Sequence, residues 1–348
     1  MSRWTFKRWL FWMVFLSGCL AGVGILAVSL GAVSIPLSKT WSILLQRFFG
    51  STASPGWTAR DSSIILDLRL PRVISGAIVG AALSIAGAVL QALLRNPLAD
   101  PYVLGISGGA AVGAVLGILF GLGSTLLGSY AIPGAAFAGA LLTLFFVYFL
   151  ARVEGRVPAM TMLLAGVIVS AFCSAIIMFL ISVTSDERLY NVTFWLMGNL
   201  EYVASQALGI IFLYLLLGSV ILFSLAKDLN LMALGEETAS ELGVEVERVK
   251  KIAFIFASLI TGAVVSVSGL IGFVGLIIPH LVRMIWGPDH RFLLPASALL
   301  GAMVLVLADT VARTILAPTE IPVGVVTALG GAPFFVYLLR RRGIAGSR

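Results

Sequence analysis

Ten apolar runs are strung along this chain, at roughly 9–33, 73–94, 102–122, 126–151, 159–183, 203–226, 252–271, 272–287, 292–312 and 322–339. A helix needs about 20 predominantly apolar residues to cross ~30 Å of hydrocarbon. Lipid offers no partner to a backbone N–H or C=O, so continuous apolar runs of this length are expected to be helices. The expected fold is therefore all-α and integral to a membrane, with one transmembrane domain over 1–348. The run 272–287 is short and holds Pro279, so it reads as a broken or partly spanning helix.

Composition supports this reading. The chain is 59% hydrophobic and 11% charged, whereas a soluble domain carries about 25% charged residues and would otherwise expose large apolar patches. The net charge of +7 does not point to nucleic acid, because no basic cluster stands beside aromatic platforms. Cys19 and Cys173 both lie in apolar runs, with no metal-ligand spacing around them. Leu16-Ser17-Gly18-Cys19 has the look of a lipoprotein cleavage box, but its apolar run continues to Val33. That is too long for a signal h-region, so the segment is read as a retained first span.

With an even number of spans both termini fall on one side, and the basic residues say which. Arg3, Lys7 and Arg8, then Arg152 and Arg156, Arg248, Lys250 and Lys251, and Arg340, Arg341 and Arg342 all fall on the N-terminal side. Lys39, Arg47, Arg60, Arg69, Arg72, Arg188 and Arg313 fall on the other. The excess predicts N-in, C-in. Residues 34–70 are then outside, and the charged segment 227–251 is inside.

Two runs are alike: residues 80–87 and 262–269 both read GAxxSx[AS]G. In this topology the first descends and the second ascends, which is the pattern of an inverted internal repeat. Gly105, Gly109, Gly113, Gly117 and Gly121 recur at every fourth position and predict one face of a helix where a neighbouring backbone comes close.

The chemistry of catalysis is missing from the sequence. There is no GxxxxGK[ST] phosphate loop, no HExxH and no GxSxG. His280 and His290 read as polar residues near the inner end of a span. Asp309 is the one clear carboxylate within a run, and Arg313, four residues on, makes a local ion pair the simpler reading. A transporter with no energy source of its own takes energy from a partner. In 227–251, residues 234–243 read as a short polar helix that Gly243 would end with a left-handed cap.

Several segments together resemble the FecCD-type permeases of cobalamin, iron–siderophore and haem importers. They are Leu68–Arg72, GAALSIAGAVLQ at 80–91, RNPLADP at 95–101, LGISGG at 104–109, WLMG at 195–198, GLIGFVGLIIPHLVR at 269–283, Ala308-Asp309 and PVGVVTA at 322–328 with Gly331-Ala332-Pro333. The resemblance implies ten helices in a homodimer with its pathway on the two-fold axis, in the inner membrane of a bacterium. It implies two ATPase subunits beneath, which would hold the ATP and magnesium, and a periplasmic or lipid-anchored binding protein above; this chain itself would hold no cofactor. By position, Arg69, Arg72 and Arg313 match outer arginines that meet carboxylates of the binding protein. Glu237, Ala239 and Gly243 match the helix that couples to the ATPase. Asn96 and Leu98 match part of a cytoplasmic gate, with a second gate segment near Ala159-Met160-Thr161. The cargo implied is a ferric siderophore first, then haem or cobalamin. The competing reading is a secondary transporter or channel that works without ATP, in which Asp309 would be functional.

Overall fold

A computed structural model describes residues 5–50, 56–124, 128–200 and 205–345, with the side chains of 186–187, 205–207 and 338–345 undescribed. The expected topology signal Arg3 lies outside the described residues, and of Arg340, Arg341 and Arg342 only the backbone is described. Helices carry the described chain throughout, and its one isolated bridge joins Val153 to Arg156. In order they are α1 (Phe6–Ser29), α2 (Leu37–Phe49), α3 (Ala59–Ser63), a π-helical stretch (Ile64–Arg69), α4 (Leu70–Leu93), α5 (Ile106–Leu119), α6 (Ala131–Ala151), α7 (Ala159–Ser182) and α8 (Asp186–Leu196). They continue as α9 (Ser205–Ser224), α10 (Ala226–Met232), α11 (Glu236–Glu241), α12 (Val246–Ser268), α13 (Val274–Trp286), α14 (His290–Thr314) and α15 (Val323–Ala345).

Among the described residues, six helical runs are long and apolar enough to cross a membrane. Residues 208–224 and α10 form one further span bent by 50°, and α5, α13 and the start of α15 are shorter apolar helices. Every apolar run of the sequence thus falls on a helix.

Helix α4 is the central post. It packs on α14, α12 and α13, and its small residues let it do so. A Cβ on Gly80 would lie 2.2 Å from Gly301 O of α14, and one on Gly87 would lie 1.9 Å from Gly275 O of α13. At such crossings backbone meets backbone, which is how helices gain van der Waals contact where lipid removes the hydrophobic drive. Helices α5 and α6 repeat the device. A Cβ on Gly109 would be 2.6 Å from Gly139 O, and one on Gly113 would be 2.1 Å from Ala135 O.

The predicted glycine face is shorter than its spacing suggested. Gly105 (φ 82°) is the left-handed residue before α5, and Gly121 (φ 65°) lies beyond its end. Both turn the chain, and Gly117 makes only ordinary contacts with α6. The two similar octapeptides lie on neighbouring helices. Residues 80–87 are buried within α4, while 262–269 run to the end of α12, where Gly269 leaves the helix at φ 66°.

Candidate functional site

Three places in this bundle can do something other than hold it together: a cavity, a helical hairpin and a charged corner.

The cavity forms where helices break. Helix α8 ends at Leu196, α12 ends at Ser268 and α15 begins at Val323, and the three breaks are locked together by backbone. Asn199 N donates to Ser268 O (2.8 Å), and Gly324 N donates to Gly198 O (3.4 Å). A Cβ on Gly269 would fall 2.2 Å from Trp195 O, and one on Gly324 would fall 2.2 Å from Met197 O. Irregular backbone inside a membrane bundle is tolerated where it is buried or lines a cavity. Here it borders a cavity of about 620 Å³, walled by Leu196, Met197, Leu270, Phe273, Leu276, Val325, Ala328 and Leu329 and floored by Leu98, Asp100, Tyr102 and Val103. Phe273 adopts a left-handed φ of 69°, and its ring root lies against Gly331 of α15.

The floor is a run of tight turns between α4 and α5. Asn96 Oδ1 accepts from Leu98 N (2.9 Å), and Asp100 Oδ1 accepts from Tyr102 N (2.8 Å). These side chains replace the partners that a helix would have supplied. Arg95 takes φ 46° at the first turn. Leu98 is exposed into the cavity, whereas Asn96 serves the turn that positions it. Asp100 is the one charged group in the cavity lining, half-buried. Burial pushes its carboxyl up to about 6, against the pull of the Tyr102 N–H. Most of this wall was not singled out from the sequence. The signal was there in the glycines that interrupt apolar runs at 198, 269–272 and 324.

The helical hairpin consists of α10, α11 and the start of α12. Ala239 is fully buried and seats α11, and Val244 closes over its end. Gly243 N donates to Ser240 O and Val244 N to Ala239 O (both 3.0 Å), and Gly243 takes φ 88°. This double bond pattern around a left-handed residue is the Schellman stop. The space around the Gly243 Cα is open, so backbone conformation alone requires glycine there. Glu237, Glu241, Leu234 and Leu242 are exposed around this helix, an acidic rim with apolar residues beside it. The hairpin is tied to α14 through Asn230, which donates to Asp289 Oδ1 (2.8 Å) and accepts from His290 N (2.9 Å). Burial pushes the Asp289 carboxyl up, but hydrogen bonds from Arg291 and Asn230 outweigh it and hold the group below the usual carboxylate range. His280 and His290 are both buried, so neither lies at an interface with water.

The charged corner holds the three candidate docking arginines, and it uses them unequally. Arg69 is buried and donates to Val28 O (3.1 Å), Ser29 O (2.9 Å) and Val33 O. Arg313 is buried and donates to Ala27 O (3.1 Å) and Leu30 O (3.3 Å), and its Nε meets Asp309 Oδ2 at 3.0 Å. Both guanidinium groups therefore cap the C-terminal end of α1, whose last carbonyls have no partner within the helix and whose dipole favours a cation. Arg72 is the more open of the three. Its Nε pairs with Asp309 Oδ1 (3.0 Å) and its Nη1 with Glu320 Oε2 (2.6 Å), and Glu320 is exposed. Asp309 is thus held between two arginines, as its spacing to Arg313 suggested. A carboxylate so paired is a poor candidate for carrying a coupling ion.

A family model described as the FecCD transport family matches residues 19–341. The cobalamin import system permease protein BtuC of Halobacterium salinarum is 48% identical over 283 residues, 80% of this chain and 74% of that protein. The hemin transport system permease protein HmuU of Yersinia pestis is 40% identical over 318 residues, 91% of each chain. A solved structure described as a metal-chelate type ABC transporter in an inward-facing conformation superposes with a TM-score of 0.81 at 32% identity, covering 94% of this chain and 98% of that one. The chain belongs to the FecCD transport family of transporter permeases: it is a multi-pass membrane protein and a translocation subunit, not an enzyme.

Proposed function

We propose that the chain is the membrane-spanning subunit of an ATP-driven importer for a large metal chelate, an iron chelate or a cobalamin-like cofactor, which it carries inward as a homodimer. The observation that carries this reading is the cavity. It is walled by apolar side chains and broken-helix backbone, with Asp100 as its one charge. Such a wall suits a bulky chelate whose metal is already fully coordinated, and it offers no bare ion a set of ligands. The relatives named for cobalamin and hemin fit that class. Leu329 of α15 lines the cavity and is exposed, and on this reading a second copy covers that flank.

On this reading all ten apolar segments cross or enter the bilayer, with both termini inside. Two ATPase subunits dock beneath α11, whose exposed rim carries Glu237 and whose stop requires Gly243. Asn96 and Leu98 form part of the inner gate with the residues around Met160. The binding protein docks above at the Arg72 corner, where one of its carboxylates replaces Glu320 while Arg69 and Arg313 hold the corner in place. ATP closes the ATPase pair, α11 moves with it, and the two copies rock so that the cavity changes sides.

The test is co-purification of the tagged chain from its native membrane, with partners identified by mass spectrometry. An ATPase subunit lost on Gly243→Trp and a binding protein lost on Arg72→Glu are the expected results. A chain recovered alone and still transporting in liposomes would replace this reading with an ATP-independent one.

A further inference from the structure

Beside the floor of the cavity, four charged side chains join elements that are far apart in the sequence. Lys250 of α12 is buried. Its Nζ meets Glu236 Oε2 at 2.6 Å, Glu247 Oε1 at 2.9 Å and the carbonyl of Val157 at 3.2 Å. Glu247 in turn accepts from Val157 N through its other oxygen (2.9 Å). Lys250 and Glu247 therefore grip both backbone groups of Val157, the residue before Pro158, which begins α7 and the segment Ala159–Thr161. The second oxygen of Glu236 faces Arg95 Nη2 at 3.9 Å. Arg95 is the left-handed residue that starts the turns carrying Asn96 and Leu98.

Burying a lysine costs heavily in desolvation unless it is fully paired, and α11 does not need it for seating, because Ala239 and Val244 already bury that helix against the bundle. Helix α11 also has a glycine with positive φ on each side, Gly235 at 137° and Gly243 at 88°. It is a short rod set off by a glycine at either end, with a charged tether at its first residue.

We propose that Glu236 is the ionic joint that transmits movement of α11 to both inner loops: through Lys250 to the 157–161 segment, and through Arg95 to the 95–98 turns. This deepens the reading of α11 as the ATPase dock and rests on it. The two branches differ in kind. The Lys250 branch is short and buried, so it acts as a stiff link. The Arg95 branch is long and half-exposed, so it is weak as it stands and tightens or parts as α11 swings.

The test uses the complete complex of permease, ATPase subunits and binding protein in liposomes, and needs no cargo. In a Cys19→Ser, Cys173→Ser background, Leu98→Cys or Met160→Cys is labelled with a charged maleimide from the ATPase side, with and without trapping by ATP and vanadate. The parent should show a change in labelling rate on trapping at both positions. Glu236→Gln should shrink that change at least about fivefold at both, with the ATPase subunits still bound and still hydrolysing ATP. Lys250→Met should abolish it at Met160→Cys alone, and Arg95→Gln at Leu98→Cys alone. A Glu236→Gln complex that responds like the parent, or one no different from Glu237→Gln, overturns the proposal. Loss of the ATPase subunits in Glu236→Gln also overturns it, since Glu236 would then belong to the dock itself. Failure of the docking reading looks different: the ATPase subunits would stay bound to Gly243→Trp.

Discussion

Asp100 is the one cavity residue whose charge depends on its surroundings. Its carboxyl ionises at about 6 in the folded chain, against 3.8 in the unfolded one, because burial disfavours the anion. As the pH rises from about 4 to 6 the unfolded chain gives up a proton that the folded chain keeps. Folding therefore loses stability through that window and stays handicapped above it. Asp100→Asn retains the Oδ1 acceptor for Tyr102 N and removes the charge. We expect the variant in detergent to unfold at a higher temperature than the parent at about pH 7.5, with the difference shrinking toward zero near pH 4. A difference that does not change with pH would place the carboxyl in bulk-like water. Nothing in the run RNPLADP marks this aspartate in the sequence. The shift arises from the walls that α8, α13 and α15 bring around it, and no local pattern encodes them.

At the scale of elements, the end of α1 shows how a long-range cap replaces a local one. Leu30 N reaches back only to Leu26 O; the carbonyls of Ala27, Val28 and Ser29 are met by Arg69 and Arg313, 40 and 286 residues from the Ser29 and Ala27 oxygens they bind. Removing such a donor leaves buried carbonyls unpaired at ~1–3 kcal/mol each. Arg69→Met should lower stability by about 2–4 kcal/mol and speed amide exchange in residues 27–33, measured by hydrogen–deuterium exchange. Arg72→Gln, which leaves the buried Asp309 with Arg313 alone, should cost about 1–3 kcal/mol and leave that exchange unchanged. That all three arginines gather at one end of the bundle was legible from the basic-residue bias. The inward direction of two of them was not, because it depends on where a helix from the other end of the chain stops. Spacing misled for the same reason at Gly105 and Gly121. A four-residue repeat does not distinguish a glycine inside a helix, such as Gly109, from one that ends it with a positive φ. The stop at Gly243, in contrast, was readable, since a polar helix followed by glycine and valine is a local signal.

For the whole molecule, the distribution of burial separates post from rim. In the apolar windows of α4 and α12, 83% and 67% of residues are buried; in that of α7 only 17% are. The apolar runs were visible in the sequence because bilayer thickness sets a length that composition alone reveals. Which of them stand in the middle was not, since a central helix and a lipid-facing helix are equally apolar. Along α15, Leu329 lines the cavity and is exposed. If a second copy covers that flank, Leu329→Cys in the Cys19→Ser, Cys173→Ser background should cross-link to its own counterpart in native membranes, and Phe11→Cys on α1 should not; the reverse result would move the two-fold axis to the other side of the bundle. The knot of broken helices at Gly198, Gly269 and Gly324 carries a consequence for how such a transporter can change its cargo. Its contacts run from main chain to main chain, so they are indifferent to which side chains surround them. The neighbouring positions, among them Met197, Phe273 and Val325, can be rewritten to accept a differently shaped chelate while the machinery that moves it is inherited intact.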